Sequence, residues 1–180
     1  MIALNSIIIL GAAFLVVFLE AAVNGIFRVQ LDLLPALMVY ASLTAGPTMV
    51  AALALCGGLW FDSLSANPLG ISVLPLLLIG WLILQRRDLI LHSQVFAQFV
   101  LGLGASLVAP ALALAFMLST GKAPLIGWGT VWQLALMTVV GGIATPALFK
   151  LFGLVTQAFE YRDASSPSFR PDREIRRGRN

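Results

Sequence analysis

The chain of 180 residues is 59% hydrophobic and only 11% charged, and its mean hydropathy is +0.96. Soluble domains carry about 25% charged and about 45–50% apolar residues, and a chain of this size cannot hide so much apolar surface from water. The composition therefore excludes a water-soluble globular domain and predicts an integral membrane protein.

The positive charge of the chain belongs to its C-terminal segment. Residues 162–180 hold six arginines and three acidic residues, a balance of +3 that equals the formal charge of the whole chain. The neutral body argues against binding to nucleic acid. We expect this segment to be a disordered basic tail, because it has too few apolar residues to bury. The tail either only fixes the membrane orientation or contacts anionic lipid or an acidic partner.

Six apolar segments precede this tail, within residues 1–161. Their apolar runs are continuous rather than alternating, and only a helix pairs every backbone group within its own segment in lipid. The sequence therefore predicts an all-α transmembrane domain, a compact bundle of six helices. Their expected bounds are about residues 5–23, 31–45, 48–61, 71–84, 95–118 and 130–155. Glu20, near the end of the first run, is expected to reach the lipid headgroups.

The second and third segments are short. Fifteen helical residues cover about 22 Å, less than the ~30 Å thickness of the hydrocarbon core. Gly46 and Pro47 separate the two segments, and a glycine followed by a proline is typical of a helix end. This pair favours a hairpin of two short helices, and one tilted helix across both segments is the alternative.

The basic residues give the expected orientation. In the six-helix arrangement, Arg86, Arg87, Lys150 and the tail face the cytoplasm, and Arg28 and Lys122 lie outside. The five-helix alternative satisfies the same rule with an outer N-terminus, so charge does not decide between the two. Both arrangements place the C-terminus in the cytoplasm.

A polar stretch, GGLWFDSLSANPLG, interrupts the apolar sequence at residues 57–70. We expect Asp62 to end the third helix at the outer surface, accepting hydrogen bonds from the amides of Leu64 or Ser65. A turn then leads into the fourth helix. The turn is either purely structural or read by a partner. Its candidate residues are Asp62, Ser63, Asn67, Pro68 and Gly70.

Two further groups of residues are interpreted as a charge pair and as a helix-packing face. Arg28 and Asp32 are four residues apart and form a candidate charge pair on the outer side, although Asp32 is also placed to cap the second helix. In the fifth segment, small side chains let helices approach closely in lipid, either within the protein or at a partner. This candidate packing face consists of Gly102, Ala105, Ala109 and Ala113.

No constellation of catalytic residues is present in the sequence. There is no H-x-x-x-H pair, no cysteine cluster and no G-x-S-x-G motif. His92 and Cys56 are the single histidine and the single cysteine. We expect both to be structural. The sequence therefore predicts a protein that is not an enzyme and holds no metal or cofactor.

Three stretches in order, LDLLPALMVYASLTAGP, GGLWFDSLSANPLG and ISVLPLLLIGWLILQ, resemble the rod shape-determining protein MreD family of bacteria. The resemblance is best over residues 31–84 and includes the aspartate, the small polar residues and the Leu-Gly pair between the third and fourth helices. One departure is that many relatives have Arg-Pro before the second helix, where this chain has Gln30 and Leu31. Either Arg28 takes over the role of that arginine, or this chain lacks that role.

The resemblance implies a non-enzymatic scaffold of the cell-elongation machinery in the bacterial inner membrane. Such a protein binds MreC, a single-span partner, and connects MreB filaments to RodA and a class B penicillin-binding protein in peptidoglycan synthesis. The family's fold is also similar to the S-components of energy-coupling-factor transporters, which suggests a vitamin-binding subunit as the alternative. A vitamin site needs convergent polar groups, and the helices offer few: Tyr40, Gln94, Gln98, Gln133 and Thr138.

Overall fold

The computed structural model describes residues 2–27, 31–65, 68–87, 94–119, 121 and 127–164. Over these residues the chain is all-α and has no strand, as the apolar runs predict. The helices in chain order are α1 (Ile2–Phe27), α2 (Leu34–Thr44), α3 (Pro47–Leu64), α4 (Val73–Arg86), α5 (Val95–Ser119) and α6 (Trp128–Ala164).

Four of these helices are long and apolar enough to cross a membrane. The qualifying segments are Ile8–Gly25, Pro47–Leu64, Val95–Ser119 and Trp128–Val155. The other two described helices are apolar but shorter, with 11 residues in α2 and 14 in α4. They reach about 17 Å and about 21 Å, against a hydrocarbon core of about 30 Å. Length and composition thus support a membrane protein with four candidate spans.

A break at Ala45 and Gly46 separates α2 from α3. Both residues are extended, and Pro47, which has no amide hydrogen to pair, opens the new helix. Leu34, at the start of α2, lies 3.1 Å from the place where a Cβ on Gly57 would be, in the second half of α3. The two helices therefore run antiparallel as a hairpin, and the single tilted helix is excluded.

The observed helices extend beyond several predicted bounds. α1 begins at Ile2, α3 ends at Leu64 rather than near residue 61, and α6 continues to Ala164 rather than ending near residue 155. Apolar runs mark the part of a helix that suits lipid, but the backbone ladder continues through polar residues beyond it. Described residues 150–164 belong to a unit separate from the preceding part of the chain. Residues 162–164 of the predicted tail are helical, and the rest of that tail lies outside the described residues.

The short helix α2 is surrounded by protein. Its residues from Leu34 to Leu43 are all buried, and it packs against α1, α3, α4 and α5. A helix that is apolar on every side is stable only when neighbours cover it completely. The buried position of α2 therefore follows from its lack of a polar face. The neighbouring helices shield α2 from lipid, so this short helix need not span the bilayer alone.

Small residues bring α5 and α6 together. A Cβ added to Gly102 would overlap Thr145, and one added to Gly141 would overlap the Ser106 hydroxyl. The pairs Gly102–Ser106 and Gly141–Thr145 are each spaced by four residues, the pattern by which helices approach closely in lipid. Helix α5 is thereby fixed against α6 within residues 95–149.

Candidate functional site: the α3–α4 turn and the adjoining cavity

Asp62 is the centre of the candidate site. Its side chain is 1% exposed and lies in the last turn of α3. Oδ2 accepts hydrogen bonds from the amides of Gly70 (2.8 Å) and Ser72 (3.1 Å), and Oδ1 accepts one from the Ser72 hydroxyl (2.6 Å). A buried carboxylate is stable only when such donors replace water. Because Ser72 immediately precedes α4, the negative charge also lies at the favourable end of that helix dipole.

The predicted hydrogen-bond donors to Asp62, the amides of Leu64 or Ser65, are wrong. The chain does not leave the helix at Asp62, and the Ser65 amide donates to the carbonyl of Phe61 at 2.9 Å. Neither Leu64 nor Ser65 donates to the carboxylate among the hydrogen bonds of the described chain. The actual donors are eight and ten residues away in sequence, beyond the reach of local capping rules. Asp62 therefore joins α3 to α4 instead of ending α3.

Gly70, in the turn that follows Asp62 in the chain, has an unusual backbone geometry. Gly70 has φ +90°, which is strained for any residue with a Cβ. The Ile71 amide donates to the Pro68 carbonyl at 3.3 Å and closes the turn. Ser63 is exposed and donates to the Trp60 carbonyl at 2.8 Å, so its side chain stays within α3. Asn67 lies outside the described residues.

Glu20 is a further candidate functional residue, and the location predicted for its side chain is wrong. The sequence predicts that it reaches the headgroups, but its side chain is only 4% exposed. Its Oε1 accepts a hydrogen bond from the amide of Leu33, and its Oε2 has no hydrogen-bond partner among the described residues. The position of a residue along an apolar run predicts its depth in the membrane, but it does not predict whether its side chain faces lipid or the protein interior. Only the packing of α1 beside the start of α2 reveals this burial.

Asp32 caps the start of α2. Its Oδ1 accepts a hydrogen bond from the Leu34 amide at 3.2 Å, which matches the capping alternative. Arg28, the other half of the predicted charge pair, lies outside the described residues. Burial raises the pKa of the half-buried Asp32 carboxyl to about 7, the Leu34 amide opposes this rise, and the charge on Asp62 adds to it.

A cavity of about 160 Å³ lies beside Asp62 and is bordered by residues of four helices and by Asp32, which precedes α2. A cavity of about 150 Å³ holds a benzene-sized molecule. Polar and apolar side chains both border it. The polar ones are Asp32, Ser72, Thr130 and Gln133, and the apolar ones include Phe61, Leu76, Leu134 and Met137. Of the polar helix residues that the sequence offers for a vitamin site, only Gln133 borders this cavity.

The candidate packing face on α5 turns toward the inside of the protein. Gly102, Ala105 and Ala109 are buried. Ala105 and Ala109 belong to one apolar cluster with residues of α2 and α4. Ala113 is half-buried and borders the cavity. The first three residues therefore pack within the protein, which is one of the two alternatives that the sequence left open.

The described residues contain no group of three or more histidine, cysteine, aspartate or glutamate side chains able to hold a metal ion. Cys56 is half-buried, and His92 lies outside the part of the chain that the structure describes. Comparison with protein-family models, with curated proteins and with solved structures finds no match.

Proposed function

We propose that this protein is a non-enzymatic scaffold of the bacterial cell-elongation machinery, similar to the MreD family, and that it binds an MreC-like single-span partner. The observation that carries the proposal is the position of Asp62. This aspartate, one of the features of the resemblance, is 1% exposed and holds the α3–α4 turn through three hydrogen bonds. An enzyme or channel would use such a carboxylate in an accessible site, whereas here its oxygens are occupied in shaping a surface.

The proposed arrangement in the inner membrane is a six-helix bundle with both termini in the cytoplasm. The burial of α2 by four other helices supports it, because a shielded short helix need not match the bilayer alone. Arg86 and Arg87, both exposed at the end of α4, would lie on the cytoplasmic side. This arrangement places the α3–α4 turn on the periplasmic side, where the periplasmic domain of an MreC-like protein could reach it.

The surface of this turn suits a protein partner. Leu69 is 71% exposed and Leu64 is 54% exposed, and the carboxylate of Asp62 holds the amides of Gly70 and Ser72 close to Leu69 in the chain. Exposed apolar side chains on a rigid backbone lose little conformational entropy when a partner covers them. We propose that this surface contacts the partner, which in turn links MreB filaments to RodA and a class B penicillin-binding protein.

Affinity recovery from native membranes tests the proposal. The tagged protein should recover an MreC-like single-span protein, identified by mass spectrometry. Leu69→Asn should lower that recovery, whereas Leu118→Asn, which changes an exposed leucine at the end of α5, should not. Both variants should accumulate normally, because neither leucine is buried. Recovery of no such partner, or equal recovery with both variants, would refute the proposed function.

The basic tail is proposed as a second contact, on the cytoplasmic side. Residues 162–180 carry six arginines, and each basic residue near an anionic leaflet contributes about 1 kcal/mol of attraction. Deleting residues 170–180 should leave membrane insertion intact and weaken recovery of cytoplasmic partners or binding to anionic lipid. If neither changes, the tail acts only as an orientation signal.

A second candidate function, the vitamin-binding S-component of an energy-coupling-factor transporter, is favoured by the cavity beside Asp62. The affinity experiment separates the two functions. A transporter subunit would recover an ATPase and its membrane coupling subunit, and a vitamin would co-purify with it. The scaffold would recover the single-span partner instead.

A further inference from the structure

Three polar residues that border the cavity beside Asp62, namely Asp32, Ser72 and Thr130, lie at or just before the starts of helices, and apolar residues border it both there and deeper along the helices. Ser72 immediately precedes α4, and Thr130 lies in the first turn of α6. Met137 lies seven residues further along α6 than Thr130, about 10 Å at the helical rise of 1.5 Å per residue. A ligand that fits must therefore have a polar head and an apolar body.

Three carboxyl groups of the described residues lie at or near the polar residues of the cavity. Asp32 borders the cavity directly, and Asp62 lies immediately behind Ser72. Glu20 is a third carboxylate close by, because it accepts from the amide of Leu33, the residue after Asp32. Among described residues 31–87, the basic side chains are Arg86 and Arg87, at the far end of α4. Clefts lined by one sign of charge and apolar walls concentrate ligands of the opposite sign.

Asp32 has capacity for a further partner. The described residues give its carboxyl one hydrogen bond, from the Leu34 amide to Oδ1. A carboxylate accepts about four hydrogen bonds in total. An ammonium group of a ligand would donate to it, and this charge-assisted hydrogen bond is about twice as strong as a neutral one. The half-buried position of Asp32 reduces the screening of such a pair by water.

We propose that this cavity binds a small primary amine, whose ammonium group pairs with Asp32 and whose apolar body packs among Leu76, Leu134 and Met137. The volume of about 160 Å³ suits a body about the size of a benzene ring. This ligand site is independent of the scaffold function, because it lies between the helices and neither Leu64 nor Leu69 of the proposed partner surface borders it. Either one can fail without the other.

Three probes of one shape test the charge requirement: benzylamine, benzyl alcohol and benzoate. Binding is measured by calorimetry on the full chain in phosphatidylcholine nanodiscs. Benzylamine should bind about tenfold or more tightly than benzyl alcohol, and benzoate should bind most weakly. Equal affinities, or no binding of benzylamine at millimolar concentration, would overturn the proposal. Added phosphatidylethanolamine should leave benzylamine binding unchanged if the site takes a free amine, and competition by this lipid would identify its headgroup as the ligand.

Matched variants test the position of the site. Asp32→Asn should weaken benzylamine binding by about tenfold to a hundredfold, because a charged hydrogen-bond partner is lost. Ala113→Phe should block the cavity, whereas Ala111→Phe, on the exposed side of the same helix, should not. Normal binding by Asp32→Asn together with Ala113→Phe would refute the site. If Asp32→Asn does not fold, the three probes and the comparison of Ala113→Phe with Ala111→Phe still test the proposed site.

The pH dependence is a further readout. Protonation of Asp32 should weaken benzylamine binding as the pH falls below neutral, and Asp32→Asn should remove most of that dependence. Glu20 and Asp62 are the other carboxylates near Asp32, and Glu20→Gln is the control for a general loss of negative charge. If Glu20→Gln removes the pH dependence and Asp32→Asn retains it, the ammonium does not pair with Asp32.

Discussion

The carboxylate of Asp62 accepts two hydrogen bonds from Ser72, one from its hydroxyl at 2.6 Å and one from its amide at 3.1 Å. Asp62 lies in the last turn of α3, and Ser72 immediately precedes α4. The pair therefore joins the end of one helix to the start of the next. Since a carboxylate at 1% exposure must be fully hydrogen-bonded to be stable, the geometry of the α3–α4 turn depends on this pair.

Asp62→Ala should destabilise the protein clearly. The change leaves the buried amide and hydroxyl of Ser72 and the half-buried amide of Gly70 without this acceptor, at a cost of about 1–3 kcal/mol for each buried donor left unpaired. Asp62→Asn should cost less, because its amide oxygen still accepts one of these hydrogen bonds. Thermal unfolding in detergent, followed by tryptophan fluorescence, measures both. Ser63→Ala is the control, and equal unfolding temperatures for Asp62→Ala and Ser63→Ala would contradict the role of Asp62.

Gly70→Val should distort the turn even though its surroundings are open. No atom lies within 4 Å of a Cβ added at this position, but its φ of +90° is unfavourable for a β-branched residue. We expect a loss of about 1–2 kcal/mol in the free energy of unfolding, and a smaller loss for Gly70→Asn, which tolerates positive φ better. Chemical denaturation compares the two variants. A Gly70→Val protein as stable as the wild type would show that the turn adapts freely.

The contact between α5 and α6 should be intolerant of a single added methyl group. Gly102→Ala would place its Cβ against Thr145 and 3.0 Å from the Gly141 carbonyl oxygen, so the helices must separate. We expect a loss of about 1–3 kcal/mol, as for other overpacked sites. Gly104→Ala, on the same helix with no atom within 4 Å, should be neutral or slightly stabilising. Equal unfolding temperatures for the two variants would contradict the close approach of these helices.

The stability of the protein should fall as the pH rises through the titration of Asp32. The folded pKa of about 7 lies above the unfolded value of about 3.9, so the folded state binds more protons between these values. The free energy of unfolding therefore decreases from about pH 4 to about pH 7 on account of this group. Asp32→Asn should flatten the profile over this range. An unchanged slope in the variant would assign the pH dependence to other groups.

The proposed topology is tested by reporter fusions at residue 1, at Arg86 and at residue 180. All three should report the cytoplasm, because basic residues flank the last two sites and six crossings return the chain to its starting side. A fusion at Gly70 should report the periplasm. An N-terminus in the periplasm would reject the six-helix arrangement, whatever the position of the tail.

Much of the fold could be predicted from the sequence. Long continuous apolar runs predict helices in lipid whatever their neighbours, because the backbone must pair within each segment. The break at Gly46 and Pro47 could also be predicted, since proline cannot continue the hydrogen-bond ladder and acts on its immediate surroundings. The fold class, the order of the helices and the α2–α3 hairpin thus follow from local chemistry.

The candidate site required the tertiary structure. Asp62 finds its donors eight and ten residues away, and Glu20 is buried at 4% exposure beside the start of α2. The cavity exists only because four helices leave space between them. Hydrogen-bond partners, burial and cavities depend on which helix faces meet. In a chain that is apolar on nearly every face, hydrophobic periodicity does not specify those faces, so only the assembled packing of side chains decided them.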